Sequence, residues 1–161
     1  MSSPQIDLAR IGEVLNKHQV DYVIVGGMAV VLQGGEATTV DVDLAFDRSG
    51  QNIERLADAL EELSAKPKRW VTEQFRLQSA DLGSKWLHLE SDCGDIDLIA
   101  EVPGISYETI KQNCDQFEVE ATRLRVASVK ELIEMKRHTG RGKDAIHIAE
   151  LEDLLRLQTE Q

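Results

Sequence analysis

The feature that most limits the fold of this chain is a pair of glycines that follows a short apolar run. The run Tyr22–Val25 is short and rich in β-branched residues, which is typical of a buried strand. It stops at Gly26-Gly27 and continues into Met28–Leu32, which is long enough for one or two helical turns. A glycine turn between a strand and a helix exposes backbone N–H groups at the helix start. The helix dipole favours phosphate at that point.

A second strand carries a pair of carboxylates. Residues 40–47 alternate strictly, so Asp41 and Asp43 lie on one face of the strand. Carboxylates two residues apart on a strand are separated by ~6–7 Å and repel unless a cation or open water screens them. Carboxylates that hold Mg²⁺ beside a turn that holds phosphate are the parts of a nucleoside triphosphate site. The alternative interpretation is a solvated strand face with purely structural glycines.

These residues resemble the signature of the nucleotidyltransferase superfamily, which has the DNA polymerase β fold and includes many small bacterial proteins. In that signature a hydrophobic residue, Gly, and then Gly or Ser precede an Asp-hydrophobic-Asp or Glu sequence. Val25-Gly26-Gly27 matches the first part, and Asp41-Val42-Asp43 matches the second. The resemblance implies that Gly26 and Gly27 bind the phosphates, and that Asp41 and Asp43 are catalytic metal ligands.

The superfamily's third carboxylate lies on a later strand, and residues 94–99 are the matching segment. We favour Asp97 as this catalytic and metal-binding residue because the apolar residues Ile96 and Leu98 flank it. Asp95 lies two residues earlier on the same strand face and is the alternative, because periodicity does not choose between them.

The C-terminal quarter resembles the small toxin-type and uncharacterised bacterial members of the superfamily. There a helix that carries a lysine precedes an Arg-x-Lys-Asp turn, which matches Lys136 and the segment Arg141–Asp144. The resemblance implies that Lys136 lies near the phosphates. The cluster around Lys136 is equally well explained as a solvated helix end that the macrodipole favours.

One departure from the family pattern lies just before the carboxylate pair. These members often carry an Arg-x-Thr-x-Asp-hydrophobic-Asp run. This chain keeps Thr39, a candidate nucleotide-binding residue, but has Ala37 in place of the arginine. The missing arginine would affect both the recognition of the substrate and the catalytic activity.

The resemblance implies a Mg²⁺- or Mn²⁺-dependent enzyme that transfers a nucleoside monophosphate from an NTP to an acceptor hydroxyl and releases pyrophosphate. The acceptor is left open among a small molecule, RNA and protein. One alternative is a non-catalytic member that binds nucleotide or metal as a regulatory or toxin–antitoxin component. Another is a divalent-metal protein of a different class. A partner protein or a homo-oligomer is compatible with any of these.

Composition narrows the class of protein further. The 161 residues carry a net charge of −11, which disfavours a broad nucleic-acid-binding surface. No apolar stretch is long enough for a membrane span. The two cysteines lack metal-ligand spacing, so we expect a reduced, cytoplasmic protein. The histidines are scattered and give little support to a zinc site: His18, His88, His138 and His147.

The order of periodic segments predicts an α+β fold, with a mixed β-sheet, helices packed on one side and two C-terminal helices. We expect a single domain over residues 1–161, with a core over about 6–127 and a helical part over about 128–158. Strands are predicted over residues 70–78 and 86–90, joined by a turn at residues 81–84, and again over residues 96–100.

Overall fold

The computed structural model describes residues 5–68, 74–139 and 144–160. In these ranges the strands are β1 (Tyr22–Val25), β2 (Asp41–Phe46), β3 (Trp86–Ser91), β4 (Gly94–Ile99), β5 (Asp115–Val119) and β6 (Thr122–Val126). The α-helices are α1 (Leu8–Lys17), α2 (Gly26–Leu32), α3 (Gly50–Glu62), α4 (Tyr107–Gln112), α5 (Val129–Thr139) and α6 (Asp144–Thr159). A short 3₁₀ helix covers Ser79–Leu82.

All six strands belong to one mixed sheet in the order β3-β4-β2-β1-β6-β5. The central strand β1 runs antiparallel to β2 and parallel to β6. Strand β4 is parallel to β2, and the outer strands β3 and β5 are antiparallel to their neighbours. This arrangement confirms the predicted α+β class with a mixed sheet.

Helix α1 shows how the amphipathic segments attach to the sheet. The Asp7 carboxylate accepts a hydrogen bond from the Arg10 N–H at 3.1 Å, which caps the helix start. The buried residues Ile11, Val14 and Leu15 form the apolar stripe. At Gly12 the helix touches β6 so closely that a Cβ would lie 2.2 Å from Leu124 Cδ2. The glycine therefore sets the distance between α1 and the sheet.

The core lies around β1, whose four residues are all buried. Because successive side chains point to opposite faces, this strand is covered on both faces of the sheet. The buried positions of β2 and β4 that alternate with the aspartates add Val42, Leu44, Ile96 and Leu98. The acidic positions of these strands therefore stand next to a rigid apolar layer.

The C-terminal helices α5 and α6 pack against each other, and α6 is tied to the end of α2. Gln158 donates from Nε2 to the backbone oxygen of Gln33 at 3.3 Å and to its Oε1 at 3.1 Å. Ser128 accepts a hydrogen bond from the Glu131 N–H at 3.3 Å and so caps α5, at the capping-box spacing. The predicted helical part therefore begins directly after β6.

The strand predicted over residues 70–78 is wrong for its described part. Residues 74–78 alternate in burial, with Phe75 and Leu77 buried, but they form no ladder; residues 70–73 lie outside the described ranges. Strand β3 pairs instead with β4 across a two-residue turn at Asp92-Cys93. The predicted turn at 81–84 lies in and after the 3₁₀ helix.

Candidate active site

The sheet brings four carboxylates together because β2 and β4 run side by side in register. Asp41 lies opposite Asp95, and Asp43 lies opposite Asp97. Residues two apart on a strand share a face, so all four side chains belong to the same face of the sheet. Asp97 has 5% of its side chain exposed, while Asp95 has 22% exposed. Asp97 is therefore more buried than Asp95, as its apolar neighbours in the sequence indicated. Its role as the third carboxylate stays a prediction.

Strand β3 adds a residue to this face that the sequence analysis did not select. His88 lies opposite Asp97 in the β3–β4 ladder. Its Nδ1 lies 2.5 Å from Asp97 Oδ1, and its Nε2 lies 3.4 Å from Asp95 Oδ2. The signal that could have found it is the two-residue turn Asp92-Cys93, because His88 stands as far before that turn as Asp97 stands after it.

Ligand atoms of Asp41, His88 and Asp97 all lie within 4.8 Å of one another. Carboxylate oxygens are the donors that Mg²⁺ and Mn²⁺ prefer. Asp43 stands beside this group, and its Oδ1 is buried without a hydrogen-bond partner among the described residues. A buried carboxylate oxygen without a partner is costly unless a cation or donor satisfies it. These residues therefore fit a divalent cation.

The pKa values of Asp41, Asp43 and His88 are all raised in this cluster. Burial, followed by the charges of Asp97 and Asp41, raises the pKa of Asp43 to about 7. Burial, followed by contact with the Asp97 carboxyl, also raises the pKa of Asp41. The hydrogen bond to Asp97 raises the pKa of His88. Each shift favours bound protons, as expected where carboxylates meet in a partly buried place without a cation.

The glycine turn is built around one of these carboxylates. Gly26 begins α2 with φ +70°, and a Cβ there would lie 2.1 Å from Asp43 Oδ2. Only glycine satisfies both the left-handed backbone and the close approach. At Gly27 a Cβ would lie 3.2 Å from Thr39 Cβ, which is tight contact without severe overlap. The two glycines therefore have different structural tasks.

The remaining predicted nucleotide-binding residues lie near the turn. Lys136 and Gly27 line the same cavity of about 350 Å³, which α6 closes on its far side with Leu151 and Leu154. The Thr39 hydroxyl donates to the Asp41 backbone oxygen at 2.8 Å, so its hydrogen is used within the chain. Ala37 also lines this cavity.

The basic cluster of the C-terminal part is only partly described, because Arg141 and Lys143 lie outside the described ranges. Arg137 donates to Glu134 Oε1 at 2.7 Å and to Glu152 Oε1 at 3.0 Å. That guanidinium is engaged by acidic partners, which leaves Lys136 as the cluster's described cation at the cavity.

A larger cavity of about 950 Å³ lies elsewhere, lined among others by Lys66, Phe75, Arg76 and Asp92. It contains none of the site carboxylates and none of the glycines of the turn. We place the candidate site at the carboxylates, because ligand chemistry, burial and charge coincide there and volume alone does not identify a site.

Solved structures with the same architecture support an assignment of the fold. A Thermotoga maritima protein described as a nucleotidyltransferase superimposes with a TM-score of 0.60 at 17% identity, covering 98% of both chains. The lincosamide antibiotic adenylyltransferase LnuA, solved with lincomycin, gives a TM-score of 0.57 at 16% identity and covers 93% of this chain and 99% of LnuA. ANT(2'')-Ia in complex with adenylyl-2''-tobramycin gives 0.53 at 15% identity, with 94% and 92% covered.

The architecture is therefore that of the nucleotidyltransferases. Residues 7–151 match the sequence profile of the aminoglycoside-2''-adenylyltransferases, and the chain belongs to this family. No curated protein sequence gives a significant match. In the described ranges, no helix combines the length and the apolar character needed to cross a membrane.

Proposed function

We propose that this protein transfers AMP from ATP to a hydroxyl group of a small acceptor and releases pyrophosphate. The observation that carries the proposal is the group formed by Asp41, Asp97 and His88, with ligand atoms within 4.8 Å of one another. It stands beside the glycine turn at Gly26, in a fold that nucleotidyltransferases share. The adenylyl group follows from the family that the sequence matches.

Asp41, Asp43 and Asp97 are the residues that would hold Mg²⁺ or Mn²⁺. When bound, such a cation neutralises triphosphate charge and lowers the pKa of the acceptor hydroxyl. The carboxylates supply hard oxygen donors, and the unpartnered Oδ1 of Asp43 gains a partner. The rigid apolar layer behind them fixes their separation.

The chain's own residues can bind and orient the nucleotide on the α2 side of this cluster. The cavity lined by Gly27 and Lys136 opens there, so phosphates can approach the backbone where no side chain stands. The ammonium group of Lys136 would offset phosphate charge, as a point charge does in other phosphate sites. From α6, Leu151 and Leu154 give the same cavity an apolar part suited to a nucleoside, beside His147 and Glu150.

The reaction needs an in-line geometry. The acceptor oxygen forms a bond to the α-phosphorus while the bond to the bridging oxygen of pyrophosphate breaks, and the hydroxyl proton is lost. The acceptor must therefore approach opposite the leaving pyrophosphate.

Small antibiotics with hydroxyl groups are the first acceptors to test. Two neighbours in fold were solved with lincomycin and with adenylyl-2''-tobramycin, respectively. A net charge of −11 also attracts cationic small molecules and disfavours RNA. Protein hydroxyls remain the third class to include in a screen.

A second candidate function is a non-catalytic nucleotide- or metal-binding member that acts as a regulatory or toxin–antitoxin component. Ala37 favours it, because no guanidinium stands at this position of the cavity next to Gly27. Such a protein would bind ATP with a divalent cation and release no pyrophosphate.

Pyrophosphate release separates the two candidates. The purified chain is incubated with ATP, Mg²⁺ or Mn²⁺ and a panel of aminoglycosides, lincosamides, RNA ends and protein hydroxyls, with Asp41→Asn as the matched control. We expect release that depends on an acceptor and that disappears in the control. ATP binding by calorimetry without release for any acceptor would favour the non-catalytic function. Absence of both binding and release would overturn the nucleotide site.

A further inference from the structure

We propose that His88 is a positioning residue, which holds the Asp97 carboxylate in the orientation that a divalent cation needs. The inference rests on the proposed function, in which Asp97 is a cation ligand. It assigns a task to a residue that the three-carboxylate pattern does not include.

The first observation is the hydrogen bond between the two side chains. His88 Nδ1 lies 2.5 Å from Asp97 Oδ1. Since an ionised carboxylate only accepts hydrogen bonds, Nδ1 is the donor. The imidazole engages Oδ1 of Asp97, and the Asp97 carboxyl also lies against the carboxyls of Asp41 and Asp43. A cation between the three carboxylates would bind at that contact, while His88 holds Asp97 from β3.

The second observation is that the imidazole spans both carboxylates of β4. Its Nε2 lies 3.4 Å from Asp95 Oδ2. The β3–β4 ladder places His88 directly opposite Asp97, so backbone hydrogen bonds fix the base of the side chain. The ladder at its base and the hydrogen bond at Nδ1 orient the ring toward Asp97.

The third observation is the electrostatic setting of Asp97. It lies opposite Asp43 in the β2–β4 ladder and on the same sheet face as Asp41, so the three carboxylates repel one another when ionised. A side chain under such repulsion needs a partner on its far side to stay in place. His88 contacts Asp97 from β3, and β4 separates this strand from β2, which carries Asp41 and Asp43.

Direct coordination by Nδ1 does not fit the same geometry. A ring nitrogen that donates its proton to Asp97 Oδ1 has no lone pair left for a cation. The neighbouring carboxylates supply the oxygen donors that Mg²⁺ and Mn²⁺ prefer. The imidazole therefore acts on the cation through Asp97.

The test measures Mn²⁺ binding by the full-length protein, using the loss of the free-ion electron paramagnetic resonance signal. Three variants separate the two ring nitrogens: His88→Asn keeps a donor near the position of Nδ1, His88→Gln places one near Nε2, and His88→Ala removes both. A matched control is His18→Asn, because His18 Nε2 lies 3.0 Å from Glu62 Oε1 in another imidazole–carboxylate pair. Circular dichroism first checks that each variant is folded.

We expect His88→Ala and His88→Gln to weaken Mn²⁺ binding about 10- to 100-fold, the range found for other residues that support metal ligands. His88→Asn should stay within about threefold of the wild type, and His18→Asn should be unchanged. Equal affinity in wild type and His88→Ala would overturn the proposal. So would equal losses in His88→Ala and His88→Asn.

Pulsed paramagnetic resonance provides a readout that a merely structural role would not change. A strong ¹⁴N coupling to Mn²⁺ in the wild type would show direct coordination and overturn the positioning role. A wild type that binds no Mn²⁺ would overturn the cation site of the proposed function together with this inference. If the wild type binds Mn²⁺ and the His88 variants bind it equally well, the positioning role is wrong while the cation site is retained.

Discussion

At the scale of single residues, the site is organised by Asp97. It is the most buried of the carboxylates in the strand pairs, and it contacts a histidine on one side and two aspartates on the other. Asp95 lies nearer the strand's start and is more exposed. The two aspartates of β4 should therefore respond differently to the same substitution.

We predict that Asp97→Asn lowers the rate of nucleotidyl transfer by roughly 10²- to 10³-fold, because a group that stabilises charge at the reacting centre is lost. Asp95→Asn should keep most of the activity. Both rates are measured as pyrophosphate release under saturating ATP and cation. The opposite order of the two rates would assign the third carboxylate to Asp95.

A second residue-scale prediction concerns Asp43 and pH. Its pKa rises from 3.8 in the unfolded chain to about 7 in the folded protein. The native state therefore binds the extra proton between these values. The extra proton on Asp43 stabilises the folded protein fully below about pH 4. This stabilisation decreases as the pH rises to 7 and is absent above pH 7.

We expect Asp43→Asn to remove this decrease of stability with rising pH. Without divalent cations, the free energy of unfolding of the variant minus that of the wild type should increase between pH 4 and 7, by on the order of 2–4 kcal/mol. Urea denaturation at several pH values measures the difference. A difference that is constant with pH would contradict the shift.

At the scale of elements, the turn between β1 and α2 gives two adjacent glycines different tasks. Gly26 makes room for Asp43, whereas Gly27 faces the cavity that Lys136 also lines. Substitutions at the two positions should therefore separate stability from nucleotide binding.

We predict that Gly26→Ala lowers stability by roughly 1–3 kcal/mol, because a Cβ meets the Asp43 carboxylate at a positive φ. Gly27→Val should instead abolish ATP binding while cation binding is retained, because a branched side chain fills the approach to the backbone. Chemical denaturation and calorimetry measure the two effects. Equal ATP affinity for Gly27→Val and wild type would show that this glycine only turns the chain.

The elements also show what the sequence can predict. Strands β1 and β2 follow directly from β-branched composition and alternation, and both aspartates of β2 face the site as the period requires. The segment 74–78 has the same alternation of burial, yet it belongs to none of the six strands of the described ranges. Alternation reports which side chains are buried, whereas a ladder also depends on a partner far away in the chain.

The same limit explains why His88 was missed. Nothing in its immediate sequence marks it as a ligand or a donor. Its position beside Asp97 arises from the register of the β3–β4 hairpin, which a turn at Asp92-Cys93 sets. The sequence pattern instead predicts the turn at residues 81–84, which would pair β3 with residues 70–78.

At the scale of the whole molecule, the carboxylates oppose folding unless a cation is present. Ligands from β2 and β4 come together only in the native sheet. A cation that binds there binds the native state and not the unfolded chain, so it stabilises the protein by mass action.

We predict that millimolar Mn²⁺ or Mg²⁺ raises the melting temperature of the wild type, corresponding to about 2.7 kcal/mol when the cation is at 100 times its dissociation constant. Asp43→Asn should melt higher than the wild type without cation and should not respond to it. Differential scanning fluorimetry with and without ATP measures both. An unchanged wild-type melting temperature under all these conditions would contradict the cation site.

The strand order has a further consequence for how the chain is synthesised. Strands β1 and β2 leave the ribosome as the first pair, and each exposes an open edge of backbone donors and acceptors. Strand β4, which covers the edge of β2, begins only at Gly94, and β6, which covers β1, begins at Thr122. Uncovered strand edges invite pairing with other chains. Nascent chains of this protein are therefore most exposed to aggregation before β6 is made, and slowing translation after β2 should lower the yield of soluble protein.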